Sequence, residues 1–125
     1  MSGIDRLLDA ARRKIGARPG AEELADELGR GTLVVDIRPI ELRQRDGELP
    51  GAVVIGRNVL EWRLDPLGDH RIEEAADPDR RVIIVCDEGY ASSLAAATLL
   101  ELGRTDVTDL DGGYQAWLRL GEQAG

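Results

Sequence analysis

Short apolar segments that alternate with helix-forming stretches constrain the fold of this chain more than any other feature. Residues 32–36, 52–55 and 81–86 are almost continuously apolar, and a further strand is predicted over 106–110. Strands of continuous rather than alternating apolar residues are typical of sheets that are covered on both faces. Their alternation with helices predicts an α/β fold on a mostly parallel sheet.

The spacing of apolar residues predicts helical segments before and between the strands. They cover residues 4–15, 21–28, 39–45 and 92–102, and a closing helix begins at Gly112-Gly113. Residues 58–64 are predicted to be a short helix or a loop. The segment Arg18-Pro19-Gly20 is predicted to be a turn or a very short edge strand. We find no internal repeat and no domain boundary. Residues 1–125 are therefore predicted to form a single domain, with an N-terminal helical extension over 1–17.

The charge balance narrows the classes of partner. The 125 residues include 16 basic and 24 acidic ones, a net charge of −8. Nucleic acids and anionic membranes require a basic face, so neither is expected as a partner. No apolar run approaches the ~20 residues of a membrane span, and the N-terminus lacks the apolar core of a secretory leader. We therefore expect a cytoplasmic protein, whose site can still accept a small anionic substrate.

The chain contains one cysteine, Cys86, and one histidine, His70. A single cysteine excludes an intrachain disulfide and a multi-cysteine zinc site. His70 lies in a polar loop with no second histidine or cysteine near it in sequence, so a metal role is not expected. A single histidine also excludes most catalytic mechanisms of the Ser-His-Asp and Cys-His types. We expect neither a metal nor a cofactor.

Cys86 occupies the position where chemistry is expected. It ends the strongest predicted strand, and the loop 87–90 leads from it into a helix. Sites in open parallel sheets lie at the carboxyl ends of the strands. The loop N–H groups and the positive end of the following helix would stabilise a thiolate or a bound anion, and Gly89 permits the sharp bend. The alternative is an inert buried cysteine.

Four segments occur in an order and at a spacing that resemble the rhodanese-like sulfurtransferase domain. They are Val35-Asp36-Ile37-Arg38-Pro39, Gly47-Glu48-Leu49-Pro50-Gly51-Ala52, the Cys86 to Ser92 loop, and Asp111-Gly112-Gly113 before Trp117. The resemblance covers about residues 18 to 119. It implies a doubly wound, mostly parallel sheet of about five strands with helices on both faces. The segment from Arg57 to Pro66 is similar to a feature of one subset of small single-domain members.

The resemblance also implies a reaction, a two-step transfer of sulfane sulfur. The Cys86 thiolate attacks the outer sulfur of an anionic donor such as thiosulfate or a persulfide, and becomes a persulfide itself. A thiol or cyanide, or a protein acceptor, then removes the outer sulfur, with no need for a metal or a histidine base. The substrate-binding loop implied by the family comprises Asp87, Glu88, Gly89, Tyr90, Ala91 and Ser92.

The loop departs from the family pattern at Ala91, where many active members carry an arginine. Asp87 and Glu88 make it acidic instead. An arginine would bind a sulfonate-like donor through charge-assisted hydrogen bonds, so a weaker reaction with thiosulfate is expected here. Arg57 or Arg63 could supply the missing charge from another loop; the alternative is that both are ordinary surface arginines.

Five further residues bear on the site. Asp36 and Arg38 are predicted to form an ion pair that ties loops together beneath it, with a direct chemical role as the alternative. Tyr90 is expected to shape the mouth of the pocket and Trp117 to lie in the core. Trp62 is a candidate supporting residue whose position the sequence leaves open.

Two other functions remain open. A non-catalytic rhodanese-like module would bind a partner or sense sulfide or redox state; Cys86 argues against it, and the missing arginine argues for it. A phosphatase or arsenate reductase on a related fold would need a longer loop that ends in arginine. Only four residues separate Cys86 from Ala91, and no arginine follows within the loop.

Overall fold

A four-stranded parallel sheet forms the centre of the computed structural model, which describes residues 1–124. Its strands are β1 (Leu33–Asp36), β2 (Val53–Val54), β3 (Val82–Val85) and β4 (Val107–Asp109), in the order β2-β1-β3-β4. All three neighbouring pairs are parallel. β2, the next strand in the chain, lies on one side of β1, and β3 and β4 extend the sheet on the other side. This reversal of direction is characteristic of a doubly wound sheet. The predicted α/β fold is confirmed.

The sheet has four strands rather than about five, and the difference lies beside β4. The connection over residues 16–20 runs along β4, where the N–H of Asp111 donates to the Pro19 carbonyl at 2.9 Å. The Thr108 hydroxyl also donates to the Ala17 carbonyl at 2.9 Å. Proline has no N–H with which to continue a ladder. The segment Arg18-Pro19-Gly20, predicted to be a turn or a very short edge strand, is therefore a connection with one backbone bond to Asp111 and not a fifth strand.

β2 is shorter and more exposed than predicted. Only Val53 and Val54 pair with β1, and the Val54 side chain is 44% exposed. β2 lies at the edge of the sheet, whereas β1 and β3 are central and every residue in them is buried. The prediction of strands buried on both faces is therefore right for β1 and β3 and wrong for β2.

Helices cover both faces of the sheet, as predicted. They are α1 (Gly3–Ile15), α2 (Leu24–Gly29), α3 (Ile40–Asp46), α4 (Leu60–Leu64), α5 (Ala91–Glu101) and α6 (Gly113–Ala124). Helical turns of the 3-10 type at Ala21–Glu23 and Arg57–Val59 precede α2 and α4, and a third lies at Glu73–Ala75. On one face Ile15 of α1, Leu64 of α4 and Leu99 of α5 pack against the sheet. On the other face Leu24 of α2 and Tyr114 of α6 do so.

The N-terminal helix packs against α5 through its second half. Ala11 and Ile15 are buried, whereas Ile4 and Leu7, on the same predicted apolar face, are 58% and 61% exposed. α1 ends at Gly16, whose φ of 69° lies in the left-handed region that favours glycine. This arrangement brings the last turn of α1 and the connection after it close to the loop that follows Cys86. Within residues 1–124, none of the helices is long and apolar enough to cross a membrane.

Candidate active site

Cys86 directly follows β3 and lines a pocket of about 350 Å³ at the carboxyl ends of β1 and β3. This is where the direction of winding reverses, the usual position of a ligand site in such sheets. The Cys86 sulfur accepts hydrogen bonds from the N–H groups of Gly89 (3.2 Å) and Ser92 (3.4 Å). The thiol in turn donates to the Ser92 hydroxyl at 3.1 Å. Two of the loop amides considered from sequence therefore do converge on the sulfur.

The loop bends this tightly because glycines allow close approach of two backbones. Gly89 has a φ of 88°, and a Cβ there would lie 2.9 Å from the nitrogen of Gly112. A Cβ on Gly113 would lie 2.7 Å from the Cys86 carbonyl oxygen. The first N–H groups of α6 hold the loop from below, since the Tyr114 N–H donates to the Cys86 carbonyl at 2.9 Å. The paired glycines before Trp117 thus allow the start of α6 to approach the cysteine loop closely.

The two loop carboxylates have different surroundings. Asp87 accepts a hydrogen bond from the Gln115 amide at 3.0 Å and lies 4.0 Å from the Arg45 guanidinium. Glu88 also lines the pocket, and its side chain forms no ion pair with any residue in the described range 1–124. Negative charge at the mouth of the pocket therefore comes mainly from Glu88.

Of the two arginines considered as replacements for a loop arginine, Arg57 lies at the pocket. Its Nη1 donates to both carboxylate oxygens of Glu61 at 2.9 Å, so part of its charge is already compensated. Arg63 instead donates to the His70 carbonyl at 2.7 Å. Trp62 is 60% exposed and lines a separate groove near Leu102.

Asp36 and Arg38 lie fully buried beneath the pocket as an ion pair. The Arg38 guanidinium donates to both Asp36 oxygens at 2.8–3.1 Å and to the Gly47 carbonyl at 2.9 Å. It also lies 3.6 Å from the centre of the Tyr114 ring. The pair links the end of β1 to the turn after α3 and to α6. Trp117 is half-buried, with its ring 5.4 Å from that of Tyr114.

Asp109 is a buried residue of the site that the sequence analysis does not single out. Its carboxylate accepts hydrogen bonds from the hydroxyls of Ser92 and Ser93, each at 2.7 Å. Arg18 donates to the two oxygens at 2.7 and 3.1 Å. Burial alone lowers the pKa of Arg18, but the hydrogen bond and charge of Asp109 outweigh it, with smaller contributions from Asp111 and Cys86, so the pKa is raised. The signal in the sequence is an aspartate inside the strand predicted over 106–110.

Two arginines from the N-terminal part of the chain reach the same loop. Arg12 of α1 and Arg18 of the connection each donate to the Gly89 carbonyl at 2.8 Å. Arg12 also donates to the Ser93 hydroxyl at 3.2 Å. Neither arginine can be assigned a role from the sequence, because contacts across about 70 to 80 positions leave no local pattern.

Comparison with known proteins places this geometry in a family. The sequence model of the rhodanese-like domain matches residues 20–120, which confirms the resemblance carried by the four motifs. A curated relative, the thiosulfate sulfurtransferase GlpE of Pseudomonas fluorescens SBW25, is 36% identical over 87 residues, which cover 70% of this chain and 71% of the relative. Arg12 and Arg18 precede the matched segment.

Solved structures agree on the fold. A Rhodopseudomonas palustris CGA009 protein of unknown function, described as a possible tyrosine phosphatase, has a TM-score of 0.85 at 29% identity, covering 97% of this chain and 92% of its own. A rhodanese homologue from the extremely thermophilic bacterium Thermus thermophilus has a TM-score of 0.56 at 30% identity, covering 81% of this chain and 100% of its own.

Proposed function

Because the chain belongs to the rhodanese-like domain family, we propose that it is a sulfurtransferase in which Cys86 carries sulfane sulfur as a persulfide. The observation that supports this most is the set of donors around Sγ. The N–H groups of Gly89 and Ser92 donate to it at 3.2 and 3.4 Å. Such donors stabilise an anionic sulfur whether it is a thiolate or the product of sulfur transfer.

The reaction is two successive displacements at sulfur. The Cys86 thiolate attacks the outer sulfur of thiosulfate; a new S–S bond forms on Cys86, and sulfite leaves with the electron pair of the old one. Cyanide or a thiolate then attacks the outer sulfur of the Cys86 persulfide, and the Cys86 thiolate is released. No external oxidant or reductant enters, and one negative charge stays on the enzyme sulfur throughout. Fixed N–H donors are therefore useful in both steps.

The charges at the pocket favour a donor less anionic than thiosulfate. The Arg57 side chain is shared with Glu61, Glu88 adds a carboxylate, and Ala91 provides no cation. Apolar side chains form much of the remaining wall, among them Ile37, Pro39, Leu42 and Tyr90. We therefore propose that a low-molecular-weight organic persulfide, with one charge and an organic part, is a better donor than the thiosulfate dianion.

Steady-state kinetics with cyanide as acceptor test the proposed activity. Thiocyanate formation is expected with both donors, with a higher kcat/KM for the organic persulfide. Thiocyanate from neither donor would contradict the proposal and favour a non-catalytic module. Hydrolysis of a phosphate ester that depends on Cys86 would instead favour the phosphatase described for the Rhodopseudomonas palustris relative.

Replacing Ala91 with arginine should restore thiosulfate binding. Ala91 begins α5, is exposed and lines the pocket, so an arginine there can meet an anionic donor beside Cys86. A charge-assisted hydrogen bond contributes roughly 1.5–3 kcal/mol, so we expect the thiosulfate KM of Ala91→Arg to fall about ten- to a hundred-fold with little change in kcat.

The matched control is Ala91→Gln, which extends the side chain without adding charge. Its thiosulfate KM should stay close to that of the wild type. Equal KM values for the arginine, glutamine and wild-type proteins would show that charge at this position does not limit thiosulfate binding. Arg57 would then be the cation to replace next.

A further inference from the structure

The back of the cysteine loop is held by two guanidinium groups. Arg12 and Arg18 both donate to the Gly89 carbonyl at 2.8 Å, although they belong to different segments. Gly89 is also the residue whose N–H donates to Sγ. Two charged donors on a single backbone carbonyl hold that residue in place through charge-assisted hydrogen bonds.

These contacts also set the direction of the next amide. All peptide bonds in the described chain are trans, and the C=O and N–H of a trans peptide point in opposite directions. With the Gly89 carbonyl held by Arg12 and Arg18, the N–H of Tyr90 points away from the two guanidinium groups. Polarisation of the carbonyl by two cations strengthens that N–H as a donor.

Arg12 differs from the other arginines around Cys86 in that no carboxylate of the described chain pairs with it. The charged groups that surround the cysteine on all sides are Arg12, Arg18, Asp36, Arg38, Arg57, Asp87, Glu88 and Asp109. Arg18 pairs with Asp109, Arg38 with Asp36, and Arg57 with Glu61. Among residues 1–124, Arg12 forms no ion pair; it donates to Gly89 and Ser93 and lies 5.5 Å from the centre of the Tyr90 ring.

We propose that Arg12 and Arg18 are positioning residues of the sulfur site, which together hold the Gly89–Tyr90 peptide, and that Arg12 also supplies from behind the loop the positive charge that Ala91 does not. This inference rests on the proposed function in treating Cys86 as the sulfur carrier. It assigns a part of the site to residues outside the matched segment 20–120. Arg18 also compensates a buried carboxylate, so its removal would destabilise the fold. Arg12 is half-exposed and is the residue to test.

The test is the rate at which iodoacetamide, an uncharged reagent, alkylates Cys86. In Arg12→Gln we expect the rate at about pH 7 to fall about three- to tenfold, because the cation behind the loop that favours an anionic sulfur is gone. At about pH 10, well above the ordinary pKa of a cysteine thiol, the rates should converge. Arg12→Lys, which keeps the charge, should recover most of the rate at the lower pH.

The matched control is Arg13→Gln, which removes the same charge from the neighbouring, exposed position of α1. It should alkylate as the wild type does at both pH values. An Arg12→Gln protein that reacts at the wild-type rate near neutral pH would overturn the inference. So would an equal slowing at both pH values, since that reports accessibility or a distorted loop rather than ionisation.

Sulfur loading of the wild-type protein separates this inference from the proposed function. If the wild type takes up sulfur but Arg12→Gln alkylates normally, the inference fails and the function stands. If alkylation depends on Arg12 but no donor loads sulfur, the proposed function fails while the role of Arg12 in holding the thiolate is supported.

Discussion

Cys86→Ser is expected to abolish sulfur transfer and to leave the fold unchanged. Serine has almost the same shape, and its hydroxyl can use the same donors at Gly89 and Ser92. The hydroxyl stays protonated at neutral pH and does not carry sulfane sulfur. We expect kcat for thiocyanate formation to fall by about a thousandfold or more, as when other covalent nucleophiles are removed.

Thermal unfolding of the same sample supplies the control. Cys86 is only 8% exposed, and serine has nearly the same volume and can take part in the same hydrogen bonds, so the Tm should change by a few degrees at most. A folded serine variant that retains a substantial part of the activity would place the sulfur chemistry elsewhere, and the account of this site would be wrong.

Asp36→Ala is expected to destabilise the fold strongly. Asp36 and Arg38 both have fully buried side chains, and the Arg38 guanidinium donates to both oxygens of Asp36. Removal of the carboxylate leaves a buried cation with only the Gly47 carbonyl and the Tyr114 ring beside it. Breaking a buried pair in this way lowers the free energy of unfolding by about 3–5 kcal/mol, which urea titration can measure.

The double variant Asp36→Val with Arg38→Met tests the cause. It replaces both charges by apolar side chains, so no buried cation remains, and it should be clearly more stable than Asp36→Ala. If the single variant loses less than about 1 kcal/mol, the value for an exposed pair, then the Asp36–Arg38 contact does not hold the loops beneath the pocket as described.

The sheet could be predicted from sequence because its central strands carry a signal that does not depend on distant residues. Residues 33–35 and Val82–Val85 are continuously apolar, and each residue in the two strands is buried. β2 was harder to predict, because burial at an edge depends on which strands lie on either side of it. At Pro19, the absence of an N–H decided against a fifth strand, although a backbone bond to Asp111 still forms.

The position of Cys86 at the end of a strand could be predicted for the same reason, and so could the need for Gly89 in its loop. The arginines behind the loop could not be predicted from the sequence. Arg12 and Arg18 are two of many arginines in the sequence, and only packing of α1 against α5 brings them to Gly89. The partner of Arg57 is local by contrast, because the helical turns around it place Glu61 four residues away on the same side.

Intact-mass spectrometry after exposure to sulfur donors tests most directly whether Cys86 carries sulfane sulfur. The protein is incubated with thiosulfate or with an organic persulfide, freed of excess donor and weighed, alongside Cys86→Ser treated in the same way. We predict that the wild type gains the mass of one sulfur atom, that cyanide or a thiol removes it, and that the serine variant gains nothing. No gain with either donor, or a gain that persists without Cys86, would contradict the account.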